Sequence, residues 1–448
     1  MSQPTTASAM QANDTSVAAV ARKARKASRA LAKLSADARV EVLMAAAQAI
    51  EDERQRILDA NKRDCVAAET AVAFGKMSSA MLARLCVTEA GVAQMATQIR
   101  EVARLEDPLG RRLAATELDE GLVLYKESCP FGVVGVIFES RPDVIPQVAS
   151  LCLKSGNAVI LKGGLEAAET NQGLVSIWRE CLIRFQGVPV DSISLLQSRA
   201  DVNELLARDR DVDLIVPRGS YELVNYIKQH SRIPVLGHGE GICHVYVDRT
   251  ADVTKAVDII YDAKVEYPAV CNAAETLLVH EAIAAKFLPQ AIRKLAAAGV
   301  EIRGDSKTVS LLPGVSISAA TEKDWSTEYS DLILSIKVVA NLDEAIEHIN
   351  IYGSRHTDAI VTEDSEAAAR FMNEVDSAAV FQNASTRFAD GFRYGFGAEV
   401  GISNGKLHAR GPMGLEGLTT YKYKLYGHGQ TVAEYSKGKK KFTHRRLQ

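Results

Sequence analysis

The hydrophobic pattern divides the chain into a helical beginning and an alternating remainder. Alanine-rich stretches with apolar residues at helical spacing predict helices at 18–34, 36–52, 53–73 and 78–102. Two β-rich stretches, 112–118 and 122–127, flank a turn at Asp119 and Gly121 and predict a hairpin. Beyond residue 131, short apolar runs alternate with helical patterns. This order predicts a helical layer followed by an α/β region.

The alternating region has the pattern of parallel sheets. Continuous apolar runs predict strands at 133–138, 158–162, 193–196, 213–216, 244–247, 276–279, 332–339, 358–361 and 378–381. Helical spacing predicts helices at 144–155, 165–185, 202–208, 221–230, 251–264, 282–298, 342–351 and 365–375. Such strands are typical of parallel sheets covered on both faces, which bind ligands at the carboxyl ends of their strands. The irregular segment 383–424, rich in glycine and aromatic residues, indicates a functional role.

Composition is that of an ordinary globular protein. The 448 residues suffice for two or three domains, and a net charge of -3 disfavours a general role on nucleic acid or membrane surfaces. No apolar run approaches the roughly 20 residues of a membrane span. The 7 cysteines form no CxxC pair or zinc-like cluster, so we expect a cytoplasmic protein without structural disulfides or metal. Residues 1–20 lack the apolar core of a secretory signal, and we expect a frayed end before the first helix.

Cys271 is the first candidate for chemistry. It lies on the connection between the predicted helix 251–264 and the predicted strand 276–279, after Pro268. A loop held by two ordered elements is a place where a scaffold presents a nucleophile, and a thiol attacks acyl carbons well near neutral pH. The alternative is a buried cysteine that acts as a small hydrophobic residue.

Two strand ends carry candidate nucleotide-binding groups. Lys162, Gly163 and Gly164 follow the second strand of the alternating region, where glycines allow the close backbone approach of a ribose or phosphate. Arg218, Gly219 and Ser220 open the predicted helix 221–230 and predict an anion-binding end. Each signal is weak by itself because a GxGxxG motif is absent, and a single lysine is more often a solvated surface residue.

Six motifs occur in one order along the chain. They are FGVVGVIFESRPD at 131–143, SGNAVILKGG at 155–164, VPRGS at 216–220, VLGHGEG at 235–241, YPAVCNAAET at 267–276 and NASTRFADG at 383–391. Together they resemble the gamma-glutamyl phosphate reductase family, a branch of the aldehyde dehydrogenase superfamily. The likeness extends from about residue 18 to residue 429.

The resemblance implies an aldehyde dehydrogenase-like α/β fold in three parts. These are a Rossmann-like NADPH-binding domain at 1–111 and 128–245, an α/β catalytic domain at 246–408, and an oligomerisation hairpin and C-terminal arm at 112–127 and 409–448. It also implies a reaction, the second step of proline biosynthesis from glutamate. NADPH reduces L-glutamyl 5-phosphate to L-glutamate 5-semialdehyde, phosphate is released, and Cys271 is the nucleophile.

The same resemblance implies roles for further residues. The cofactor candidates are Lys162, Gly163, Gly164, Arg218, Gly219, Ser220 and, beside the nicotinamide ribose, Glu328. The candidates for the anionic groups of the substrate are Arg141, Arg355, Ser385, Thr386 and Arg387. The backbone N–H of Cys271 and the side chain of Asn272 are candidate oxyanion donors. The alternative for Asn272 is a simple turn residue.

Two positions depart from oxidative aldehyde dehydrogenases. Those enzymes have a glutamate that activates water, whereas His238 takes that position here and the nearby acid is Glu240. We therefore expect phosphate, not water, to be the acceptor in the reverse direction; the alternative is a packed loop histidine. NAD-dependent members also have Lys-x-x-Glu after the second strand, whereas Leu165 is the third residue after Lys162 here. Without that carboxylate, NADPH is favoured.

Two other functions compete with this hypothesis. A phosphate-independent or CoA-acylating aldehyde dehydrogenase is disfavoured by His238 and by the Ser-Arg-Pro motif that ends at Pro142. A nucleic-acid-binding role for the basic tail 437–446 is disfavoured because the tail lacks interleaved aromatic residues. We expect a small-molecule substrate and a homo-oligomer. Acyl phosphates hydrolyse readily, so an upstream glutamate 5-kinase, in at most transient contact, is the implied partner.

Overall fold

A computed structural model describes residues 15–237 and 239–447, and the chain starts there with a layer of helices. They are Val17–Leu31, Ala36–Asp52, Arg54–Ala73, Ser79–Leu85 and Glu89–Arg104. The single helix predicted at 78–102 is wrong, because two helices occupy that stretch. Cys86 leaves the helical conformation with a ψ of 122°, and the Thr88 side chain accepts a hydrogen bond from the N–H of Gly91 to begin the next helix.

The first sheet has four parallel strands. Their order is Ile193–Leu196, Ala158–Lys162, Val133–Phe138 and Leu214–Arg218. The helices that follow its strands are Val144–Lys154, Ala168–Leu182, Ala200–Leu206 and Tyr221–His230. Every side chain of the two central strands is buried, which explains why their sequences are almost continuously apolar instead of alternating. The predicted strands and helices are confirmed here, with ends that shift by a few residues.

The second sheet has seven parallel strands. Their order is Ser318–Ala319, Glu301–Gly304, Ile333–Val339, Ala274–His280, Cys243–Val247, Thr357–Val361 and Ala379–Gln382. Its helices are Val253–Val265, Glu281–Ala297, Ser306–Leu311, Leu342–Tyr352 and Ser365–Glu374. The pattern did not predict the first two strands in this order. Ser318–Ala319 has two exposed residues at the sheet edge, and Glu301–Gly304, beside it, has four residues, of which two are buried. The domain boundary expected after residue 245 falls inside the strand Cys243–Val247.

A third, antiparallel sheet contains the predicted hairpin. Its order is Thr419–Tyr426, Leu122–Pro130, Arg112–Asp119 and Arg445–Leu447. The hairpin is confirmed, and Gly121 makes its turn with a φ of 67°, which a residue with a side chain rarely adopts. The two outer strands come from the end of the chain and are mostly exposed, so they carry no apolar run that would predict them.

The irregular segment after Ala379–Gln382 returns the chain to the first sheet. Five of its apolar residues are buried in the same hydrophobic cluster as the first sheet: Ala398, Val400, Met413, Leu415 and Leu418. Short elements complete the described chain: Leu165–Ala167, Val190–Ser192, Glu322–Ser326, Thr386–Phe388, Ile402–Ser403, Gly411–Pro412, Glu416–Leu418 and Val432–Ser436. None of the helices in the described part is long and apolar enough to cross a membrane. The irregular segment, which follows the last strand of the second parallel sheet and packs against the first, therefore joins these two sheets.

Candidate active site

A cavity of about 1120 Å³ is lined by residues from both parallel sheets. Its lining comes from segments 81–98, 139–147, 217–224, 239–240, 267–272, 328–330 and 387–402. We call the turns 139–143 and 217–222, which follow two strands of the first sheet, the strand-end wall. We call the turn 267–272, which precedes a strand of the second sheet, the nucleophile wall. The carboxyl ends of parallel strands thus open onto the cavity, as the pattern predicts.

Cys271 lies half-buried on the nucleophile wall. The helix before it ends at Val265, and a tight turn in which the N–H of Ala273 donates to the carbonyl of Val270 at 3.0 Å leads into the strand Ala274–His280. The sequence predicts that Pro268 ends the helix, but the helix stops before that residue. The thiol is therefore presented on a short connection between two ordered elements.

The backbone of Cys271 is held from behind by two residues. Gly241 lies so close that an added Cβ would be 2.1 Å from the carbonyl oxygen of Cys271 and 2.5 Å from its Cα. The buried thiol of Cys243 donates to the same carbonyl oxygen at 3.2 Å. Burial raises the pKa of Cys243, so this thiol stays protonated and keeps its donor. Only glycine leaves the space that this approach requires.

Asn272 is buried and joins the nucleophile wall to the segment that contains Arg387. Its Nδ2 donates to the carbonyl of Ala389 at 2.9 Å and to that of Arg387 at 3.5 Å. Its Oδ1 accepts a hydrogen bond from the guanidinium of Arg387, which also pairs with Glu266 at 2.6 Å. The amide hydrogens of Asn272 are therefore engaged by backbone carbonyls, while Arg387 is held beside Cys271.

A fully buried ion pair supports the strand that leaves the nucleophile wall. Nζ of Lys264 lies 2.6 Å from the carboxylate of Glu275, and neither side chain is exposed. The N–H of Ser330 also donates to Glu275 at 3.2 Å. Burial raises the pKa of Glu275 to about 7, although Lys264 opposes the shift. Burial likewise lowers the pKa of Lys264, because desolvation disfavours each charged form.

Lys162, Gly163 and Gly164 lie outside the lining of this cavity. The Lys162 side chain is buried, its Nζ donates to the carbonyl of Gly163, and burial lowers its pKa. It is therefore not a solvated surface lysine. Gly164 allows the close approach of a protein side chain instead of the predicted ribose or phosphate. An added Cβ there would be 2.1 Å from a carboxylate oxygen of Glu166.

Glu166 is a residue that the sequence analysis missed. Its carboxylate accepts hydrogen bonds from the N–H and the hydroxyl of Ser140, at 2.7 and 2.9 Å. Leu165 is exposed, so the residue after it provides the carboxylate beside this turn. The third residue after Lys162 is therefore not acidic, but the carboxylate of the fourth, Glu166, lies beside this turn.

The anion-binding end predicted at Ser220 holds a carboxylate of the protein itself. Ser220 caps the helix Tyr221–His230, and its side chain accepts from the N–H of Leu223 at 3.4 Å. The N–H of Ser220 donates to Glu139 at 2.9 Å. Gly219 lies against the same group, because an added Cβ would be 2.5 Å from Oε2 of Glu139. The helix start thus already contacts an anion, the Glu139 carboxylate of the protein itself, and the binding of a cofactor anion there stays a prediction.

Arg218 lines the cavity between the strand-end wall and the irregular segment. Its guanidinium lies 3.4 Å from the carboxylate of Glu399 and donates to the carbonyl of the same residue at 3.3 Å. Burial lowers the pKa of Arg218, and Glu399 opposes this effect. The positive charge predicted for a cofactor phosphate thus already has an internal partner.

Glu328 and Glu240 meet at the cavity next to the nucleophile wall. The carboxylate of Glu328 accepts a hydrogen bond from the N–H of Gly241 at 3.0 Å. Burial, and then the nearby Glu328, raise the pKa of Glu240. Both residues line the cavity, so Glu328 has the location expected of a group near the reacting centre. His238, the third catalytic candidate, lies outside the described residues.

The substrate candidates divide into three groups. Arg141 and Arg387 line the cavity. Ser385 and Thr386 are buried behind Arg387, and the hydroxyl of Ser385 accepts from the N–H of Arg387 at 3.3 Å. Arg355 does not line the cavity, since its side chain is 58% exposed and lies 3.9 Å from Asp376. The structure therefore does not bring Arg355 to this cavity, because its side chain points to solvent beside Asp376.

Two further arginines of the cavity were missed. Arg84, on the short helix Ser79–Leu85, donates to the carbonyl of Ala269 at 2.6 Å and so contacts the nucleophile wall. Arg393 donates to the carbonyl of Arg387 at 2.7 Å. Arg393 belongs to the irregular segment, whose composition was the available signal. Nothing in the sequence near Arg84 indicated a contact with residues so distant along the chain.

Comparisons with known proteins agree on the origin of this site. The model of the aldehyde dehydrogenase family matches residues 1–324. A gamma-glutamyl phosphate reductase of Pelotomaculum thermopropionicum is 52% identical over 428 residues, which cover 96% of this chain and 97% of the relative. One of Natronomonas pharaonis is 54% identical over 415 residues, covering 92% and 94%. The chain belongs to the aldehyde dehydrogenase family, in its gamma-glutamyl phosphate reductase branch.

Solved structures support the same assignment. The crystal structure of gamma-glutamyl phosphate reductase from Thermotoga maritima has a TM-score of 0.88 at 40% identity and covers 93% of this chain and 99% of that chain. An acetylating aldehyde dehydrogenase from Geobacillus thermoglucosidasius has a TM-score of 0.66 at 19% identity, covers 93% and 97%, and shows the fold alone. The predicted α/β fold and the resemblance found in the motifs are both confirmed.

Enzymes of this family use a nicotinamide cofactor. The cavity fits such a molecule, because its volume of about 1120 Å³ suits a ligand larger than a drug-sized compound. Two strand ends of the first sheet open onto it through Glu139 and Arg218, and helix Tyr221–His230 points its amino end toward it. The strand-end wall is therefore the part of the cavity suited to a dinucleotide.

Proposed function

We propose that this enzyme reduces L-glutamyl 5-phosphate to L-glutamate 5-semialdehyde with release of phosphate, the second step of proline biosynthesis from glutamate. Relatives named gamma-glutamyl phosphate reductase cover more than nine tenths of the chain at about half identity. The observation that carries the proposal is the position of Cys271, half-buried at the wall of a large cavity that also contains Arg141.

In this proposal Cys271 is the nucleophile. Its thiolate attacks the acyl carbon, the carbon–oxygen bond to phosphate breaks, and a thioester remains on Cys271. When bound, NADPH supplies the hydride that reduces this thioester. The resulting thiohemiacetal collapses to the aldehyde and restores the thiolate of Cys271. One proton is consumed for each acyl phosphate that is reduced.

Both tetrahedral intermediates carry an oxyanion that needs hydrogen-bond donors. We assign the backbone N–H of Cys271 as the first donor, since it moves with the reacting sulfur; losing one such donor typically costs about 100 to 1,000-fold in rate. The side-chain amide of Asn272 is engaged by the carbonyls of Ala389 and Arg387. Its role in our proposal is therefore to position the nucleophile wall and Arg387.

Arg141 is our first choice for an anionic group of the substrate. Among residues 15–237 and 239–447, no carboxylate forms an ion pair with its guanidinium, so its charge is available. Arg387 is paired with Glu266 and fits a supporting role. The hydroxyl of Ser385 accepts from the backbone N–H of Arg387 from behind, and Thr386 is buried next to it. Arg355 is not part of the proposed site because it does not line the cavity.

We propose NADPH as the preferred cofactor. Leu165 replaces the acidic residue of NAD-dependent members, and the nearby Glu166 carboxylate is engaged by both donors of Ser140. A carboxylate so occupied is less able to accept the ribose hydroxyl that marks NAD binding. We propose that the cofactor is held on the strand-end wall by Arg218, Gly219 and Ser220. Lys162, Gly163 and Gly164, at the end of the neighbouring strand Ala158–Lys162, and Glu328, near the nicotinamide ribose, complete the proposed cofactor residues.

The remaining expectations are also proposals. The antiparallel sheet is our candidate for oligomer contacts, because its edge strand Thr419–Tyr426 exposes Tyr423, Leu425 and Tyr426. We propose a three-part division into cofactor domain, catalytic domain and arm, a cytoplasmic location, and a glutamate 5-kinase as the enzyme that supplies the labile acyl phosphate. We also propose that His238, which takes the position of the water-activating glutamate of oxidative members, leaves phosphate and not water as the acceptor in the reverse direction.

The deciding experiment follows NADPH formation from glutamate 5-semialdehyde in the reverse direction. Wild-type enzyme is assayed with phosphate, with CoA, and with neither, and NADP+ is compared with NAD+. We expect formation that requires phosphate, a higher kcat/KM with NADP+, and a loss of about 10⁴-fold or more in Cys271→Ala, since the covalent step is removed.

Two results would contradict the proposal. Activity without phosphate, or with CoA in its place, would assign the enzyme to another branch of the family. Activity that survives in Cys271→Ala would remove that residue from the reaction. Cys129→Ala is the matched control, because Cys129 is also half-buried but does not line the cavity; we expect unchanged activity.

A further inference from the structure

Two cysteines outside the proposed reaction meet at the rim of the cavity. Cys65 is on the helix Arg54–Ala73, and Cys86 follows the helix Ser79–Leu85. Their sulfur atoms are 2.7 Å apart, not far beyond the roughly 2.05 Å of a disulfide bond. Cys86 is exposed and lines the cavity, whereas Cys65 is half-buried. The pair is thus accessible from solvent on one side.

We propose that Cys65 and Cys86 form a reversible intramolecular disulfide when the enzyme meets a peroxide, and that this bond acts on the nucleophile wall. The site is a modification site distinct from the proposed reaction, because neither sulfur takes part in the reduction of the acyl phosphate. Paired, accessible thiols of this kind are typical of redox-sensing sites in reducing compartments.

The chemistry balances with hydrogen peroxide as the oxidant. The sulfur of Cys86 attacks one peroxide oxygen, the oxygen–oxygen bond breaks, and a sulfenic acid and hydroxide form. The sulfur of Cys65 then attacks the sulfur of Cys86, the sulfur–oxygen bond breaks, and the second hydroxide leaves as water with the proton of Cys65. The two sulfurs lose two electrons, and one peroxide becomes two waters. A dithiol such as dithiothreitol reverses the reaction.

The order of the two steps follows from exposure. Cys86 is reached by solvent first. Burial, and then the adjacent Cys86, raise the pKa of Cys65 to about 12, so Cys65 remains a protonated thiol until its partner is oxidised. Cys86 is therefore the residue that attacks the peroxide and is oxidised first, and Cys65 is the resolving residue.

The connection between this pair and the nucleophile wall is direct. Asn61 already holds the segment, because its Nδ2 donates to the carbonyl of Leu85 at 2.9 Å and its Oδ1 accepts from the N–H of Val87 at 2.7 Å. Arg84, two residues before Cys86, donates to the carbonyl of Ala269, two residues before Cys271. A bond that draws Cys86 toward Cys65 therefore pulls on the hydrogen bond that steadies the turn of Cys271.

The first test uses the Cys271→Ser enzyme, so that the nucleophile itself cannot be oxidised. The protein is treated with stoichiometric hydrogen peroxide, quenched with catalase, alkylated and digested with trypsin without reduction. Cleavage after Arg63, Lys76, Arg84 and Arg100 places the two cysteines on separate peptides. We expect a cross-linked pair of peptides that dithiothreitol separates. Sulfinic acid on Cys86 with a free, alkylated Cys65 would overturn the proposal.

The second test measures the effect on activity. Wild-type, Cys65→Ser and Cys129→Ser enzymes are oxidised in the same way, and kcat and KM are measured before and after dithiothreitol. Oxidation of Cys271 is common to all three, so only the difference reports the pair. We expect wild type and Cys129→Ser to lose about tenfold more kcat/KM than Cys65→Ser, since small displacements near a nucleophile have effects of this size. Equal losses in all three would overturn the coupling to the nucleophile wall, and the cross-link assay does not depend on the proposed reaction.

Discussion

On the strand-end wall, the groups predicted to bind a cofactor already contact partners inside the protein, whereas on the nucleophile wall the backbone is held tightly. Ser220 donates to Glu139, and Arg218 pairs with Glu399. In contrast, Gly241 fits against the backbone of Cys271 on the nucleophile wall. Arg141 is the exception on the strand-end wall, because it lines the cavity and has no ion-pair partner in the described part of the chain.

The difference indicates two ways of preparing a site. Internal partners keep polar groups oriented and satisfied, and a ligand gains only the difference between its own contacts and those it replaces. A tightly held backbone instead fixes the position of the reacting atom, where small errors in distance are costly. Changes to the nucleophile wall should therefore affect kcat strongly, and changes to the internally paired groups of the strand-end wall should affect KM for the cofactor mildly.

The largest effect is expected from Gly241→Ala. The added methyl group would overlap the carbonyl and Cα of Cys271, so the turn must move. We expect a loss of about 100 to 1,000-fold in kcat, or about 3 to 4 kcal/mol, with little change in KM for NADP+. The control is Gly173→Ala, where the added Cβ meets only an ordinary contact at 3.7 Å. Equal effects of the two substitutions would contradict the role of Gly241.

The next effect is expected from Arg141→Ala. Removing an unpaired charge that faces the substrate should raise KM for phosphate or for the semialdehyde by about 30 to 100-fold, or about 2 to 3 kcal/mol. Steady-state kinetics in the reverse direction measure both constants. Arg355 is another of the substrate candidates, but it does not line the cavity. In Arg355→Ala, KM for phosphate and for the semialdehyde should therefore stay within about twofold of wild type. A strong effect of Arg355→Ala would return that residue to the site.

A moderate effect is expected in the pH dependence of stability. Burial raises the pKa of Glu275 from 4.5 to about 7, so between these values the folded protein holds a proton that the unfolded chain has released. This contribution is complete below pH 4.5 and is lost as the pH rises through 7; it amounts to about 3 kcal/mol. Glu275→Gln should remove this slope from the free energy of unfolding, measured by urea denaturation at several pH values. Glu281→Gln, at an exposed surface pair, should leave the slope unchanged.

The smallest effect is expected from Glu139→Gln. The amide keeps a hydrogen-bond acceptor for the N–H of Ser220 but removes a negative charge beside the expected cofactor phosphates. We expect KM for NADP+ to fall by about two to fivefold, while the free energy of unfolding falls by about 0.5 to 1 kcal/mol because a favourable charge at a helix start is lost. Steady-state kinetics at varied NADP+ concentration and urea denaturation check the two parts. Glu169→Gln, in the first turn of another helix and outside the cavity lining, should leave the affinity for NADP+ unchanged; a rise in KM in Glu139→Gln would contradict the comparison.

Local pattern was sufficient for most of the framework. Val133–Phe138 and Ala158–Lys162 match their predictions residue by residue, because a strand buried on both faces must be apolar along its length. Glu301–Gly304 and Arg445–Leu447 were missed because strands of three or four residues are held by neighbouring strands and not by their own composition. The break at Cys86 was missed because alanine-rich spacing continues through it.

The sequence by itself determined the alternating α/β order, the place of Cys271 on a connection, and the family to which its motifs belong. Only the tertiary structure decided which polar groups come into contact. Glu139 lies on Ser220 although 81 positions separate them, Glu166 lies on Ser140, and Cys65 meets Cys86. The physical reason is that hydrophobic periodicity is a local property set by neighbours along the chain, whereas hydrogen bonds, ion pairs and close backbone approaches depend on distances that exist only after the chain has folded.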